Sequence, residues 1–127
     1  MPLAKTIGVD VVGLAPGSAI LRMAFKTETT FDGAGLMGGI AGTFADMAAV
    51  SAAVAERGSD WLGSTTHFTT NLIAPGLGDI YIANGKTVGS SGSTTTATAK
   101  VFAIKNNKAQ IIASCMASAR MIQIQKI

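Results

Sequence analysis

The stretch from Gly38 to about Arg57 is the only convincing helix in this sequence, and it most constrains the fold. It stops just before Gly58, as helices often do, and about twenty residues at 1.5 Å per residue span roughly 30 Å. Alanine recurs along it, so a sheet can approach closely over its whole length. The alanines are Ala41, Ala45, Ala48, Ala49, Ala52, Ala53 and Ala55.

Segments with the period-two pattern of strands lie on both sides of this helix. The predicted strands are residues 7–13, 19–26, 64–75, 80–88, 93–105 and 109–124, and "APGS", "GLGD", "GSSG" and Asn106–Asn107 are the predicted turns. Short turns imply antiparallel neighbours, and the helix is the only element available to cover one face of the sheet. The sequence therefore predicts an α+β fold, an antiparallel sheet of five to six strands wrapped around one long central helix.

The length of 127 residues predicts a single domain over residues 1–127. Charged residues make up only 13% of the chain and hydrophobic residues 48%, whereas charged residues are usually about 25%. Two interpretations fit. Either Ser, Thr and Gly cover an ordinary domain, or much of the apolar surface lies in subunit contacts. We expect the second, a homodimer or a dimer of dimers.

Several functional classes are disfavoured by the composition. There is no run of about 20 apolar residues, so we expect no membrane span, and Asp10 interrupts any apolar stretch resembling a targeting segment. A net charge of +3 without basic clusters argues against nucleic-acid binding. The single cysteine, Cys115, permits no intrachain disulfide and is expected to be buried and inert. A reducing, cytoplasmic setting fits these features.

The helix opens without a capping residue. The first four N–H groups of a helix have no partner within it, and Gly35, Leu36 and Met37 cannot cap them with a side-chain oxygen. Gly38 and Gly39 leave the backbone bare. Either these glycines only permit close packing, with water on the N–H groups, or they receive a carbonyl oxygen that gains negative charge during a reaction.

Asp46 lies in the middle of the helix without a local cation. Its neighbours one turn away include Gly42 and Val50, and no other charged residue occurs between Gly38 and Ala55. A solvent-facing aspartate is one interpretation. The other is a partly buried carboxylate with a raised pKa, which is suited to activating water.

Three stretches together carry a family resemblance: "LMGGIAGTFADMAAVSAA", "STTHFTTNLIAP" and "GSSGSTTTATAKVFAIKNNKAQIIAS". They resemble the hotdog-fold acyl-CoA thioesterases of the phenylacetate-degradation (PaaI-like) type, over roughly residues 8–120. Gly38, Gly39, Asp46 and Pro75 stand at positions of the family pattern. The resemblance implies a hotdog fold and hydrolysis of small acyl- or aryl-CoA thioesters, with no cofactor beyond the coenzyme A of the substrate.

The resemblance also implies roles for individual residues. The N–H of Gly38 would polarise the thioester carbonyl, Asp46 would act as general base or nucleophile, and Thr65 would help to position the water. Because Gly38 and Asp46 are about 12 Å apart along one helix, the two groups are expected to meet across a two-fold axis, each from a different subunit.

Two residues depart from the family pattern. Met37 replaces the histidine before the glycines, and Phe31 replaces an asparagine six residues earlier. Both side chains are predicted to line an acyl pocket. The alternative is a non-enzymatic acyl-CoA binding protein on the same fold, which would bind acyl groups and hydrolyse them poorly.

The remaining candidate contacts are polar groups for coenzyme A. Gly39 is predicted to lie against the substrate, and Ser90, Ser91 and Lys86 are predicted to contact its phosphates, although "GSSG" is more often only a turn and a lysine is more often only solvated. His67 is the only histidine and is expected to be structural or interfacial. No cluster of residues suits a metal ion, so no metal site is predicted.

Overall fold

The structure is a computed structural model that describes residues 1–124. Its elements are α1 (Pro2–Ile7), β1 (Val9–Ala15), β2 (Ser18–Ala24), a 3-10 turn (Thr27–Thr29), α2 (Gly38–Arg57), β3 (Trp61–Leu72), β4 (Ile80–Ser91), β5 (Thr94–Lys105) and β6 (Lys108–Gln123). The six strands form one sheet in the order β1-β2-β4-β5-β6-β3, and every neighbouring pair is antiparallel. The predicted sheet around one long helix is confirmed.

Helix α2 lies in the concave face of the sheet and contacts all six strands. Its buried side chains are mostly alanines, with Phe44 and Met47 among them. A Cβ atom at Gly85 of β4 would collide with the carbonyl oxygen of Ala48. Small residues on both surfaces are therefore what allows the helix and the sheet to pack so closely.

The predicted turn at "APGS" is correct, since Pro16 and Gly17 connect β1 to β2. The predicted turn at Asn106–Asn107 is also correct, whereas the one at "GSSG" is displaced. Asn106 and Asn107 both have positive φ angles, 52° and 62°, as the two central residues of a type I′ hairpin turn require. The predicted turn at "GSSG" is wrong by about two residues, because β4 continues to Ser91 and the chain turns at Gly92 and Ser93. Gly92 supplies the positive φ, 59°, that this tight turn needs.

The N-terminal segment differs from the prediction. Residues 2–7 form helix α1 rather than leading directly into a strand, and β1 begins only at Val9. Gly8 ends the helix with a left-handed φ of 79°, which glycine adopts without strain. Ile7 is buried in the core, and Lys26 Nζ donates to the carbonyl oxygen of Thr6 at 3.3 Å.

Strand β3 contains a β-bulge at Thr66, because Thr65 pairs with Ala119 and His67 pairs with the adjacent Ser118. A bulge inserts one residue and shifts the in–out alternation. Thr65 faces α2 before the bulge, and after it Phe68 faces α2. The strand also begins at Trp61 and ends three residues before Pro75, both earlier than predicted.

Two expectations from composition, the absence of a membrane span and the burial of Cys115, can be compared with the fold. Helix α2 is long and apolar enough to cross a membrane by length and composition, yet half of that apolar window is buried inside the fold, as in the core helix of a soluble protein. Cys115 is buried on β6, as predicted, and burial raises the pKa of its thiol.

Candidate active site

One face of α2 packs along strand β3, and the helix and the strand run in opposite directions. Every fourth residue of this helix face contacts the strand. The contacts along it are Gly38 with Leu72, Gly42 with Thr70, Asp46 with Thr65, and Val50 with Gly63. Residues four apart share one face of a helix. Gly38 and the carboxylate of Asp46, both singled out in the sequence, therefore lie on the same face, two turns apart, beside an edge strand of the sheet.

The carboxylate of Asp46 is held by one side chain of β3. Thr65 Oγ1 donates to it, with distances of 2.9 Å to Oδ1 and 3.1 Å to Oδ2. Burial raises the pKa of Asp46, and the Thr65 hydrogen bond partly offsets this rise because it stabilises the charged form. The predicted partly buried carboxylate is present. It is fixed in orientation and is a stronger proton acceptor than an exposed aspartate.

Asp46 and Thr65 open onto a cavity of about 710 Å³, which is larger than another cavity beside Gly38. Its walls are mainly apolar and include Val50 and Leu62, and among residues 1–124 Asp46 is the only charged side chain that lines it. Electrostatic effects are stronger in such surroundings than in water. The cavity therefore suits an uncharged group that has to come close to a carboxylate.

The N-terminus of α2 is open, as the sequence predicts. Met37 is the N-cap residue and makes no side-chain capping bond. Within residues 1–124 the N–H groups of Gly38 and Gly39 have no hydrogen-bond acceptor. A Cβ at Gly38 would press on the tip of the Leu72 side chain, whereas Gly39 faces open space. The two N–H groups remain free to bind an oxygen that carries negative charge.

A short rigid loop, residues 30–36, leads into this helix end. Asp32 Oδ1 accepts hydrogen bonds from the N–H groups of Ala34 and Gly35 at 2.9 and 2.8 Å, and these bonds lower the pKa of Asp32. The loop presents Phe31 at 74% exposure, beside the 51% exposed Met37. Both residues that depart from the family pattern are thus exposed apolar side chains near the N-terminus of α2.

Gly38 and Asp46 do not share a cavity within one chain. Gly38 and Phe31 line a second cavity of about 410 Å³, whereas Asp46 and Thr65 line the larger one. Eight residues of helix separate the two groups by about 12 Å along the axis. A single chain brings together Asp46 with Thr65, and Gly38 with Phe31, but not the two pairs with each other.

The predicted phosphate contacts lie elsewhere on the chain. Ser90 Oγ donates to Glu56 Oε2 at 2.8 Å, near the C-terminal end of α2. Lys86 lies on the opposite, outer face of the sheet, since its neighbours Gly85 and Thr87 both face α2. Ser91 is exposed at the tip of the β4–β5 hairpin. One chain therefore does not bring these residues to Asp46 or Gly38, and their contact with coenzyme A stays a prediction.

His67 lies away from the carboxylate. Its ring is exposed on β3, with Nε2 at 3.2 Å from Thr69 Oγ1, and Thr65 lies on the α2 side of the strand. Among residues 1–124, no group of three or more His, Cys, Asp or Glu side chains could hold a metal ion.

The apolar walls of the larger cavity were not predicted from sequence. Val50 lies one helical turn after Asp46, so its helical spacing could have indicated it. Leu3 of α1, with Val11 and Leu14 of β1, reaches the cavity only because β1 lies beside α2 and α1 packs on β1. No local sequence pattern carries that information.

Neither the protein-family models nor the curated proteins gave a match to this sequence. The fold matches solved structures. A thioesterase family protein from Silicibacter pomeroyi is 26% identical, with a TM-score of 0.91 over 97% of this chain and 90% of that chain. The Escherichia coli PaaI protein, from the phenylacetic acid degradation operon, is 18% identical, with a TM-score of 0.83 over 98% of this chain and 88% of that one.

A thioesterase from Haemophilus influenzae has the same fold at 10% identity, with a TM-score of 0.85 over 98% of this chain and 85% of that chain. The similarity in each case extends over nearly the whole chain, including α2 and all six strands. The hotdog fold that the sequence resemblance implies is therefore confirmed, and a thioesterase family protein is among the structures that share it.

Proposed function

We propose that this protein is an acyl-CoA thioesterase that releases a free acid and coenzyme A. The observation that carries the proposal is the partly buried carboxylate of Asp46, held by Thr65 at the wall of an apolar cavity. The raised pKa of Asp46 favours proton transfer from water. Neighbours named as thioesterases support the reaction class.

The reaction follows from these groups. Asp46 takes a proton from a water molecule while the water oxygen attacks the thioester carbonyl carbon. The carbonyl oxygen becomes negatively charged and is stabilised by the N–H of Gly38 at the positive end of α2. Collapse of this intermediate breaks the carbon–sulfur bond, and the proton on Asp46 passes to the leaving thiolate. Thr65 keeps the carboxylate oriented towards the water, and no further cofactor is needed.

A site of this kind needs two copies of the chain. Strand β3 is an edge of the sheet, and its twelve residues include no Asp, Glu, Lys or Arg to block pairing with another edge. Two β3 edges paired about a two-fold axis run antiparallel. Because α2 runs opposite to β3 in each chain, the two α2 helices then run antiparallel as well.

The spacing along α2 fixes where that axis passes. Gly42 is midway between Gly38 and Asp46, so an axis beside Gly42 places Gly38 of one chain next to Asp46 of the other. Gly42 is buried and lies beside Thr70 of β3. A homodimer would hold two equal sites, and a dimer of dimers would hold four.

Water activation and direct attack by the Asp46 carboxylate can be separated by oxygen labelling. We expect a single turnover in ¹⁸O water to place the label in the released acid, because the water oxygen attacks the carbonyl. Direct attack by Asp46 would release the thiolate and form a mixed anhydride. Hydrolysis of this anhydride at the aspartyl carbon would give unlabelled acid in the first turnover and leave ¹⁸O on the aspartate.

The second candidate is an acyl-CoA binding protein that does not hydrolyse its ligand. It is favoured by the exposed apolar Phe31 and Met37 at the positions where the family pattern has polar residues. Steady-state release of free coenzyme A from a panel of acyl-CoAs decides between the two. Turnover lost in Asp46→Asn supports the enzyme, whereas saturable binding without turnover supports the binder. For either function we propose a cytoplasmic location.

A further inference from the structure

The larger cavity extends well beyond the carboxylate. From Asp46 it follows α2 towards its C-terminal end, past Val50 and Val54, as far as Gly58. Twelve residues of helix correspond to about 18 Å. The cavity is therefore an elongated groove with the reactive group near one end.

The outer wall of this groove is formed by Leu3 of α1 with Val11 and Leu14 of β1. These side chains are 48%, 58% and 59% exposed, so folding of the single chain does not bury them. The wall is nevertheless fixed, because Ile7 anchors α1 in the core and β1 pairs with β2 along its length. It forms a preformed apolar surface that faces α2 across the groove.

The chemistry of the groove favours one part of a thioester substrate. Coenzyme A carries phosphates, and the groove would disfavour them because a carboxylate is the only charged side chain that the described part of the chain places in it. No aromatic side chain lines the groove to stack on a ring. A straight aliphatic chain needs neither charge nor stacking, and an elongated apolar groove buries it along its length.

We infer that the groove between α2 and the α1–β1 wall binds the straight acyl chain of the substrate, and that Leu3, Val11 and Leu14 limit its length. This inference rests on the proposed thioesterase activity and narrows its substrate to straight-chain acyl-CoAs of at least medium length. The thioester carbonyl lies beside Asp46, and the chain runs towards Gly58. Aryl and very short acyl groups leave most of the groove unfilled.

The test compares kcat/KM for butanoyl-, octanoyl-, dodecanoyl- and phenylacetyl-CoA. Each buried methylene contributes about 0.8 kcal/mol, which corresponds to a rise of about fourfold in kcat/KM per methylene. We expect octanoyl-CoA to exceed butanoyl-CoA by up to about 200-fold, and to exceed phenylacetyl-CoA as well. A preference for phenylacetyl-CoA or butanoyl-CoA would overturn the inference.

Variants of the groove wall, with a matched control, test whether these residues set the preference for acyl-chain length. Val11→Trp fills the groove and should lower the octanoyl-to-butanoyl ratio of kcat/KM at least tenfold. Val12→Trp is the control, because Val12 is the next residue, is equally exposed at 60%, and does not line the groove. Leu14→Ala removes contact carbons without any clash and should lower the same ratio about threefold or more. If the octanoyl-to-butanoyl ratio of kcat/KM is the same in wild type, Val11→Trp and Leu14→Ala, the acyl chain binds elsewhere.

Two further readouts separate this inference from the proposed function. If the wild type hydrolyses none of the four thioesters, the proposed reaction is wrong, and the dissociation constant of octanoyl-CoA is compared between wild type and Val11→Trp. Weakening of at least tenfold still supports the groove as the acyl site, and an unchanged constant overturns it. Light scattering tests whether a second copy of the chain occupies the groove instead. If Val11→Trp is monomeric but keeps the wild-type octanoyl-to-butanoyl ratio, the groove is a subunit contact and not the acyl site.

Discussion

The two ends of the α2–β3 contact face differ in how they are built. At the Asp46 end the reactive group is a side chain, oriented by Thr65 and enclosed by a cavity of about 710 Å³. At the Gly38 end the reactive group is the backbone itself, left uncapped and open to an incoming oxygen. In the proposed reaction, one end supplies a base and the other supplies hydrogen-bond donors.

Each end lacks what the other provides. Asp46 and Gly38 line different cavities. The carboxylate beside Gly38, Asp32, accepts the N–H groups of Ala34 and Gly35, and these bonds lower its pKa, so it is a weaker base than Asp46. The difference between the ends supports the proposal that each is half of a site and that a second copy of the chain supplies the complement. Variants that damage one end at a time therefore test whether the two ends form one shared site.

Replacement of Asp46 should have the largest effect. Asp46→Asn keeps the shape and removes the base, so we expect kcat to fall by about 10³-fold or more. Because burial raises the pKa of Asp46 in the folded chain, the charged carboxylate opposes folding at neutral pH, and the neutral amide should melt at the same temperature or higher. Thermal melting is the control for the fold, and near wild-type turnover would remove Asp46 from the mechanism.

Loss of the N–H donor at the Gly38 end should have the second largest effect on kcat. Proline is tolerated in the first turn of a helix, so Gly38→Pro removes one N–H without breaking α2, and we expect kcat to fall by about 10²- to 10³-fold. Gly38→Ala retains the N–H and adds only a Cβ against the flexible tip of Leu72. If the alanine variant loses as much activity as the proline variant, the N–H is not the important group.

Mixing the two damaged chains tests whether the ends come from different subunits. Each mixed dimer of Asp46→Asn and Gly38→Pro chains would hold one doubly damaged site and one intact site. Random pairing at equal amounts should restore about one quarter of wild-type activity after subunit exchange. Persistent inactivity, with mixed dimers shown by mass spectrometry and both variants folded, would falsify the shared site.

Much of this arrangement could be predicted from the sequence, because it depends on local patterns. The bounds of α2, the uncapped glycines and the isolated carboxylate are properties of one helix and its immediate neighbours. The type I′ turn at Asn106 and Asn107 is equally local. Such features are set by backbone and side-chain chemistry within a few residues.

The features that were missed depend on distant pairing. Alternation along β4 puts Lys86 and Ser90 on the same face, but the register shift between Thr87 and Gly89 moves Ser90 to the α2 side. This explains why the structure separates two residues that the sequence grouped at one phosphate site. The groove wall from α1 and β1 was missed for the same reason, since its neighbours across the groove belong to α2.

Removal of the Thr65 hydroxyl should have a moderate effect with a distinct signature. The hydroxyl stabilises the charged carboxylate, so Thr65→Val should raise the pKa of Asp46 and move the acid limb of the kcat–pH profile to higher pH. We expect kcat to fall about tenfold, since hydrogen bonds to charged groups contribute about 1.5–3 kcal/mol. Thr66→Val is the control, because Thr66 bonds the Ser118 carbonyl instead. An unmoved acid limb would separate Thr65 from the base.

The smallest expected change restores a polar group at the Gly38 end. Met37 is half exposed at the N-cap of α2, so Met37→His should fold normally. An imidazole there can add one hydrogen bond beside the bare N–H groups, and a net gain of about 0.5–1.5 kcal/mol corresponds to a rise in kcat of about two- to tenfold. Met37→Leu, which keeps the site apolar, should leave the rate unchanged. If the histidine variant is no faster than the leucine variant, Met37 already belongs to a working site of different design, and the Gly38 end is complete without a polar neighbour.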